Sequence, residues 1–220
     1  MKVLITGGTG FVGYWLQSTQ PEAVYGTYLS HKRYSLYDWN KEQWDAIIHL
    51  APIDPIKVLS YAKANNIRLL YCSSGIVYHP ENNNEYRQNK IKWEQECFDS
   101  GVDVVIARLF AFYGERLDDS KAIVQFEKAA KLGQQIRIKS SGETVRSYMS
   151  GHEMGNWIWT ILQKGESREA YDVGSDEPIT ILELAKTFTD NIVVENSEPD
   201  PMPNYLPIDT EKTKKLLNVK

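Results

Sequence analysis

Ser74, Tyr86 and Lys90 fall in one short stretch, YCSSGIVYHPENNNEYRQNK, residues 71–90. Together they could move a proton on and off a substrate oxygen. A phenol with an unperturbed pKa of about 10 exchanges protons sluggishly near neutrality, and a nearby ammonium favours its phenolate. Lys90 follows Tyr86 by one helical turn, so in a helix the two share a face. Ser74 would hydrogen-bond the oxygen that Tyr86 serves. The spacing of the pair is weak evidence alone, because Tyr28 with Lys32 and Tyr37 with Lys41 repeat it. Only Tyr86 opens a long helix-like span and has a hydroxyl residue, Ser74, at the end of the preceding apolar run. The bland alternative is a surface tyrosine and lysine on a solvated helix.

A second set of residues supplies a partner for this chemistry. In LITGGTGFVGYWL, Gly7, Gly10 and Gly13 follow the first apolar run and open a helix-like span. Glycines there permit a tight turn, let backbone amides approach a pyrophosphate, and let the helix pack on the strand with its positive end toward the phosphates. The spacing G-x-x-G-x-x-G differs from the commonest dinucleotide fingerprint, so its position after a strand carries the argument. Past the second apolar run, where many dinucleotide folds hold the ribose with a carboxylate, the chain reads TYLSHKRYS. Ser30, Lys32 and Arg33 without a carboxylate favour a 2'-phosphate, hence NADP over NAD; solvated loop charges are the alternative.

These groups need a scaffold that presents strand ends to one cleft. Five β-branched runs, at 2–6, 23–29, 46–51, 67–73 and 102–110, alternate with helix-like spans. Nearly continuous apolar strands between helices predict an α/β fold, a doubly wound parallel sheet covered on both faces, which binds ligands at its carboxyl ends. The connection around WNKEQW is too short for a full helix. We expect residues 1–112 to form the dinucleotide-binding core, with 151–177 returning to it. The second half would add one or two strands to the main sheet, and residues 113–150 and 178–220 would form a small lobe over its edge, ending in a Pro-rich tail and a helix.

Composition limits the function classes. The 220 residues suffice for one well-buried core, and the net charge of −4, with basic residues spread along the chain, gives no footprint for nucleic acid. Cys72 and Cys97 are expected as buried thiols, which fits a reducing, cytoplasmic setting. No apolar run approaches the roughly 20 residues of a membrane helix. His31, His49, His79 and His152 lack metal-ligand spacing, and no metal site is expected.

The segments TGGTGFVG, DAIIHLA, SSGIVY, Tyr86 with Lys90, ARLFAFYGER, VRSYMS and AYDVGSDEPITILELA occur in an order that resembles the short-chain dehydrogenase/reductase superfamily, in its extended branch of nucleotide-sugar epimerases, dehydratases and reductases. The resemblance implies Ser74, Tyr86 and Lys90 as catalytic residues. It implies a dinucleotide against Gly7, Gly10, Phe11, Val12 and Gly13, then Ser30, Lys32, Arg33 and Leu36, then Leu50, Ala51 and Pro52, and finally Cys72, Tyr86, Lys90 and Phe110. It further implies that Arg146 and Arg116 meet the diphosphate of a nucleotide-sugar held at Ser74 and Tyr86, a role that suits forked guanidinium donors. A homodimer through two long helices is common in such relatives. Three departures stand out: Ala111 where the branch usually has Asn, a short loop between Ser74 and Tyr86, and Gly75 and Ile76 where dehydratases carry an acidic pair. The expected activity is NAD(P)-dependent reduction of an NDP-4-keto sugar, with NDP-sugar epimerisation and a non-catalytic dinucleotide-binding module as alternatives.

Overall fold

The computed structural model describes residues 1–26, 42–200 and 203–218. Among these residues the main sheet has six strands, all parallel: β1 (Val3–Thr6), β2 (Val24–Gly26), β3 (Ala46–His49), β4 (Arg68–Ser74), β5 (Val104–Leu109) and β9 (Ala170–Val173), in the order β2-β1-β3-β4-β5-β9. The alternating faces of these strands feed two separate cores. Val3, Ile5, Ile48, Leu70, Val105 and Ala107 pack with helix α1 (Phe11–Thr19) and helix α5 (Gly151–Lys164). Leu4, Ile47, Leu69, Tyr71, Val104 and Ile106 pack with α2 (Ile56–Asn65) and α3 (Glu85–Asp99) on the other face. A period of two with both faces apolar is what a doubly covered parallel sheet requires, so the expected α/β architecture is the observed one.

The remaining strands form smaller sheets. β6 (Ala111–Tyr113), β8 (Val145–Ser150) and β10 (Pro178–Thr180) make one, in the order β10-β8-β6; β7 (Ile136–Ile138) and β11 (Ile192–Val194) pair in another. Helices α4 (Ala122–Lys131) and α6 (Ile181–Lys186) enclose a third core around Phe126, Ile136, Ile138 and Leu184. Thus the second half adds one strand, β9, to the main sheet. Helix α7 (Thr210–Leu217), capped by the Asp209 carboxylate accepting from the Lys212 amide, packs back on β9 and α5.

Both cysteines are buried free thiols. Among the described residues no helix is long and apolar enough to cross a membrane, and no group of His, Cys, Asp and Glu could hold a metal ion. The second-strand end with Ser30, Lys32, Arg33 and Leu36, both alternative Tyr-Lys pairs, and residues 39–41 of WNKEQW lie outside the described residues.

Candidate active site

At the carboxyl end of β4 the backbone turns from strand into a short 3-10 helix (Gly75–Tyr78), with the Ser74 hydroxyl accepting from the Ile76 amide at 3.3 Å. The polar loop then ends at Asn84, whose side chain accepts from the Arg87 amide at 2.9 Å and so starts α3 at Glu85. That cap places Tyr86 in the first turn of α3 and Lys90 one turn later on the same face. Lys90 is 5% exposed, and its Nζ donates to Cys72 O at 2.9 Å and to Tyr71 Oη at 3.1 Å. The ammonium lies 5.8 Å from the centre of the Tyr86 ring. Burial is the main cause that holds the Lys90 pKa below its ordinary value. Tyr86 itself is 50% exposed on the cleft wall, open to a ligand.

These residues line a cleft of about 520 Å³, within the range of small-molecule sites. Ser74, Tyr86 and Lys90 share it with Val12, Leu50, Pro52, Cys72 and Phe110, and Arg146 lies in its wall. Arg146 Nη1 donates to Val145 O at 2.9 Å and Pro203 O at 2.7 Å, and burial lowers the guanidinium pKa. Two of five N–H donors are thereby spent on the backbone.

The glycine loop leads into α1, whose Val12 lines the same cleft. Gly7 has φ +78°, and a Cβ there would sit 3.0 Å from the Ala51 amide nitrogen; at Gly13 it would sit 2.6 Å from Gly8 Cα. These two glycines are required by the protein's own packing. Gly10 differs: an added Cβ would meet only Gly7 O, at an ordinary 3.5 Å. The open space in front of Gly10, at the start of α1, fits the approach of a pyrophosphate to backbone amides. Ser73 Oγ is buried in the cleft lining without a hydrogen-bond partner among the described residues, a polar atom that a bound ligand could satisfy. The residues present therefore suit a dinucleotide.

Gly7, Gly10, Gly13 and Ala51 are not among the residues that line the cleft, and Phe11 and Arg116 make contacts elsewhere. Phe11 stacks against Phe112 and edge-on to Trp15 rather than lining the cleft. Arg116, in a left-handed turn at φ +67°, lies over the Tyr14 ring at 4.2 Å and is not brought to the cleft. Conversely, the cleft contains Asn82, Asn84, Lys121 and Tyr205, none of which the sequence singles out. Tyr205 reaches Ser74 Oγ, with 2.9 Å between the hydroxyls. No periodicity or motif marks it, since it sits in the Pro-rich tail. A larger groove of about 950 Å³ between α4, α6 and β10 holds none of the predicted catalytic residues.

Comparison with known proteins agrees with the fold. UDP-glucuronic acid decarboxylase 6 of Arabidopsis thaliana is 25% identical over 272 aligned positions, covering 91% of this chain and 79% of the relative. Because 272 positions exceed the 220 residues available, the alignment includes segments of the decarboxylase that this chain lacks. The fold matches UDP-N-acetylglucosamine 4-epimerase from Bacillus cereus at TM-score 0.83 and 21% identity, over 100% of this chain and 93% of that one. It also matches RMD from Pseudomonas aeruginosa complexed with NADPH at TM-score 0.79 and 22% identity, over 100% and 93%. The model of the NAD dependent epimerase/dehydratase family matches residues 16–174, beginning just past the glycine loop and running through β9. A Rossmann-type parallel sheet, a glycine loop against its first helix, and a match over most of the chain place this enzyme in the NAD-dependent epimerase/dehydratase family.

Proposed function

We propose that the chain catalyses NAD(P)-dependent oxidation and reduction at a sugar carbon of a nucleotide-sugar, most directly the reduction of an NDP-4-keto sugar. The observation that carries this reading is the gathering of Ser74, Tyr86 and Lys90 in one cleft, with Arg146 in the same wall. When bound, the nicotinamide supplies the hydride that the carbonyl carbon gains. Tyr86 Oη gives the proton that the carbonyl oxygen then takes, and Ser74 hydrogen-bonds that oxygen. Lys90, fixed by Cys72 O and Tyr71 Oη, keeps positive charge beside the phenol as it loses its proton. Arg146 is suited to the diphosphate through the donors that the backbone does not use.

Water elimination finds no support here. No Asp or Glu lines the cleft among the described residues, and a Cβ at Gly75 would lie 2.2 Å from Phe110 Cε1, so the position after Ser74 excludes a side chain. Epimerisation is the second reading. It uses the same three side chains, and a UDP-N-acetylglucosamine 4-epimerase is among the structures that share the fold.

The test is a panel of NDP-sugars, NDP-4-keto sugars and UDP-glucuronic acid with NADH and NADPH, following cofactor absorbance and product identity. Stoichiometric consumption of NADPH or NADH with a 4-keto sugar supports reduction. Interconversion of two NDP-sugars with tightly retained NAD and no net cofactor change supports epimerisation instead. Absence of turnover across the panel would overturn both.

A further inference from the structure

Tyr205 is held at the active site by a short strap that is neither helix nor strand. Before it, Pro203 O accepts from Arg146 Nη1 and Asn204 Oδ1 accepts from the Val145 amide at 2.8 Å; at Tyr205 itself the amide donates to Val145 O at 3.1 Å. After it, the amides of Ile208 and Asp209 donate to Asp172 Oδ2 at 2.8 and 3.1 Å. The ring packs against Phe110 and His79, with centroids 5.1 and 5.5 Å away. Pinned on both sides, the phenol has one hydrogen and two acceptors in reach: Leu109 O at 3.0 Å and Ser74 Oγ at 2.9 Å.

That count has a consequence for Ser74, whose hydroxyl also has one hydrogen. When Tyr205 donates to Leu109 O, the short contact with Ser74 is satisfied only by Ser74 donating to Tyr205. Ser74 then offers a substrate oxygen lone pairs alone. When Tyr205 donates to Ser74 instead, the Ser74 hydrogen is released toward the cleft. Burial is the first cause that pushes the Tyr205 phenol up to about 12, with the Ser74 hydroxyl and the Ile76 and Gly75 amides pulling the other way. Tyr205 therefore keeps its hydrogen through the neutral range.

We propose that Tyr205 is a positioning residue that sets the direction of the Ser74 hydroxyl hydrogen, turning its own hydrogen from Leu109 O to Ser74 Oγ when a substrate oxygen arrives. This rests on the reading of Ser74 as the hydrogen-bond donor to the reacting oxygen. No bond to carbon changes in this step; two hydroxyl hydrogens rotate.

A double-mutant cycle on turnover of the panel substrate tests it, with NADH and NADPH affinity as the control for folding. Tyr205→Phe keeps the ring and its packing and removes both hydrogen bonds. In the Ser74 background it should lower kcat about ten-fold, the size of one hydrogen bond, with KM little changed. In the Ser74→Ala background it should change nothing further. Equal losses in both backgrounds overturn the positioning role while leaving the catalytic reading intact. Full turnover in Ser74→Ala, or none in the wild-type chain, overturns both. A crystal structure of Tyr205→Phe gives a readout independent of substrate: Ser74 should spread over several rotamers, and an unchanged single rotamer overturns the proposal.

Discussion

Replacing Asp172 with Asn should loosen the strap at a cost that the structure lets one estimate. The Asp172 carboxylate is 2% exposed and accepts from three donors, Tyr78 Oη at 3.0 Å and the Ile208 and Asp209 amides. Tyr78 is in turn the acceptor for Arg108 Nη1 at 2.6 Å, and Arg108 forks onto Glu94 of α3. Burial, then the Asp172 charge, pushes the Tyr78 phenol up to about 12, so it remains a donor to the carboxylate. Asn has nearly the same shape but one acceptor oxygen. With that oxygen toward the two strap amides, its NH2 faces Tyr78, which must then accept from both sides and leave its own hydrogen without a partner. Losing the charge and orphaning one buried donor costs about 2–3 kcal/mol. For a chain of this size, about 2–4 °C per kcal/mol lowers Tm by about 5–10 °C. Urea unfolding gives the stability, and hydrogen exchange gives the protection of the Ile208 and Asp209 amides, which should fall with it. A loss under about 0.5 kcal/mol with unchanged amide protection would refute the claim that this carboxylate anchors the strap.

Three further outcomes follow from the same geometry, and a fourth follows from the sequence alone. Gly13→Ala forces a Cβ to 2.6–2.8 Å from backbone atoms of Gly7 and Gly8, so thermal unfolding should show destabilisation of about 2 kcal/mol together with lost cofactor binding. Gly10→Ala meets only an ordinary contact within its own loop, so it should leave Tm nearly unchanged while weakening NADH and NADPH at least about ten-fold by fluorescence titration; equal effects of the two substitutions on Tm would contradict the cradle. His49 accepts from Thr6 Oγ1 on Nδ1, donates to Ile53 O from Nε2, and has its pKa lowered to about 4, mainly by burial. Below its ordinary pKa of about 6.5 the unfolded chain binds a proton that the folded chain refuses, so stability falls from about pH 7 to about pH 4 by up to about 3 kcal/mol. His49→Asn should flatten that part of the urea midpoint profile, and an unchanged profile would contradict it. Replacing Lys32 and Arg33 with Ala should weaken NADPH more than NADH, and equal loss for both would remove the 2'-phosphate argument.

The parts of this protein that repeat were legible in its sequence. The main sheet announces itself through apolar runs whose alternate residues, such as Val3 and Leu4, serve opposite faces, and the glycine loop through its place after the first of them. Tyr86 and Lys90 were separable from two pairs of equal spacing because their span reads as the start of a long helix that follows an apolar run ending near Ser74, and α3 does start at Glu85. The three-residue strands Ala111–Tyr113, Pro178–Thr180 and Ile192–Val194 went unmarked, since three residues cannot show a period and one begins with proline. Arg116 takes a left-handed backbone that aims it at Tyr14, which no local pattern encodes. Tyr205 was hidden for a further reason: it meets Ser74 across 131 positions, from a segment that depends on Asp172 and Arg146 for its course.

The central claim is that Tyr86, beside Lys90 and Ser74, exchanges the proton with a nucleotide-sugar oxygen. The most direct measurement is kcat of Tyr86→Phe against the wild-type chain on the substrate that the panel identifies, with cofactor affinity measured in parallel. The account predicts a loss of at least about a hundred-fold in kcat, the usual size of a general acid-base contribution, with the affinity for NADH and NADPH within about two-fold. Turnover by Tyr86→Phe equal to the wild type would contradict it.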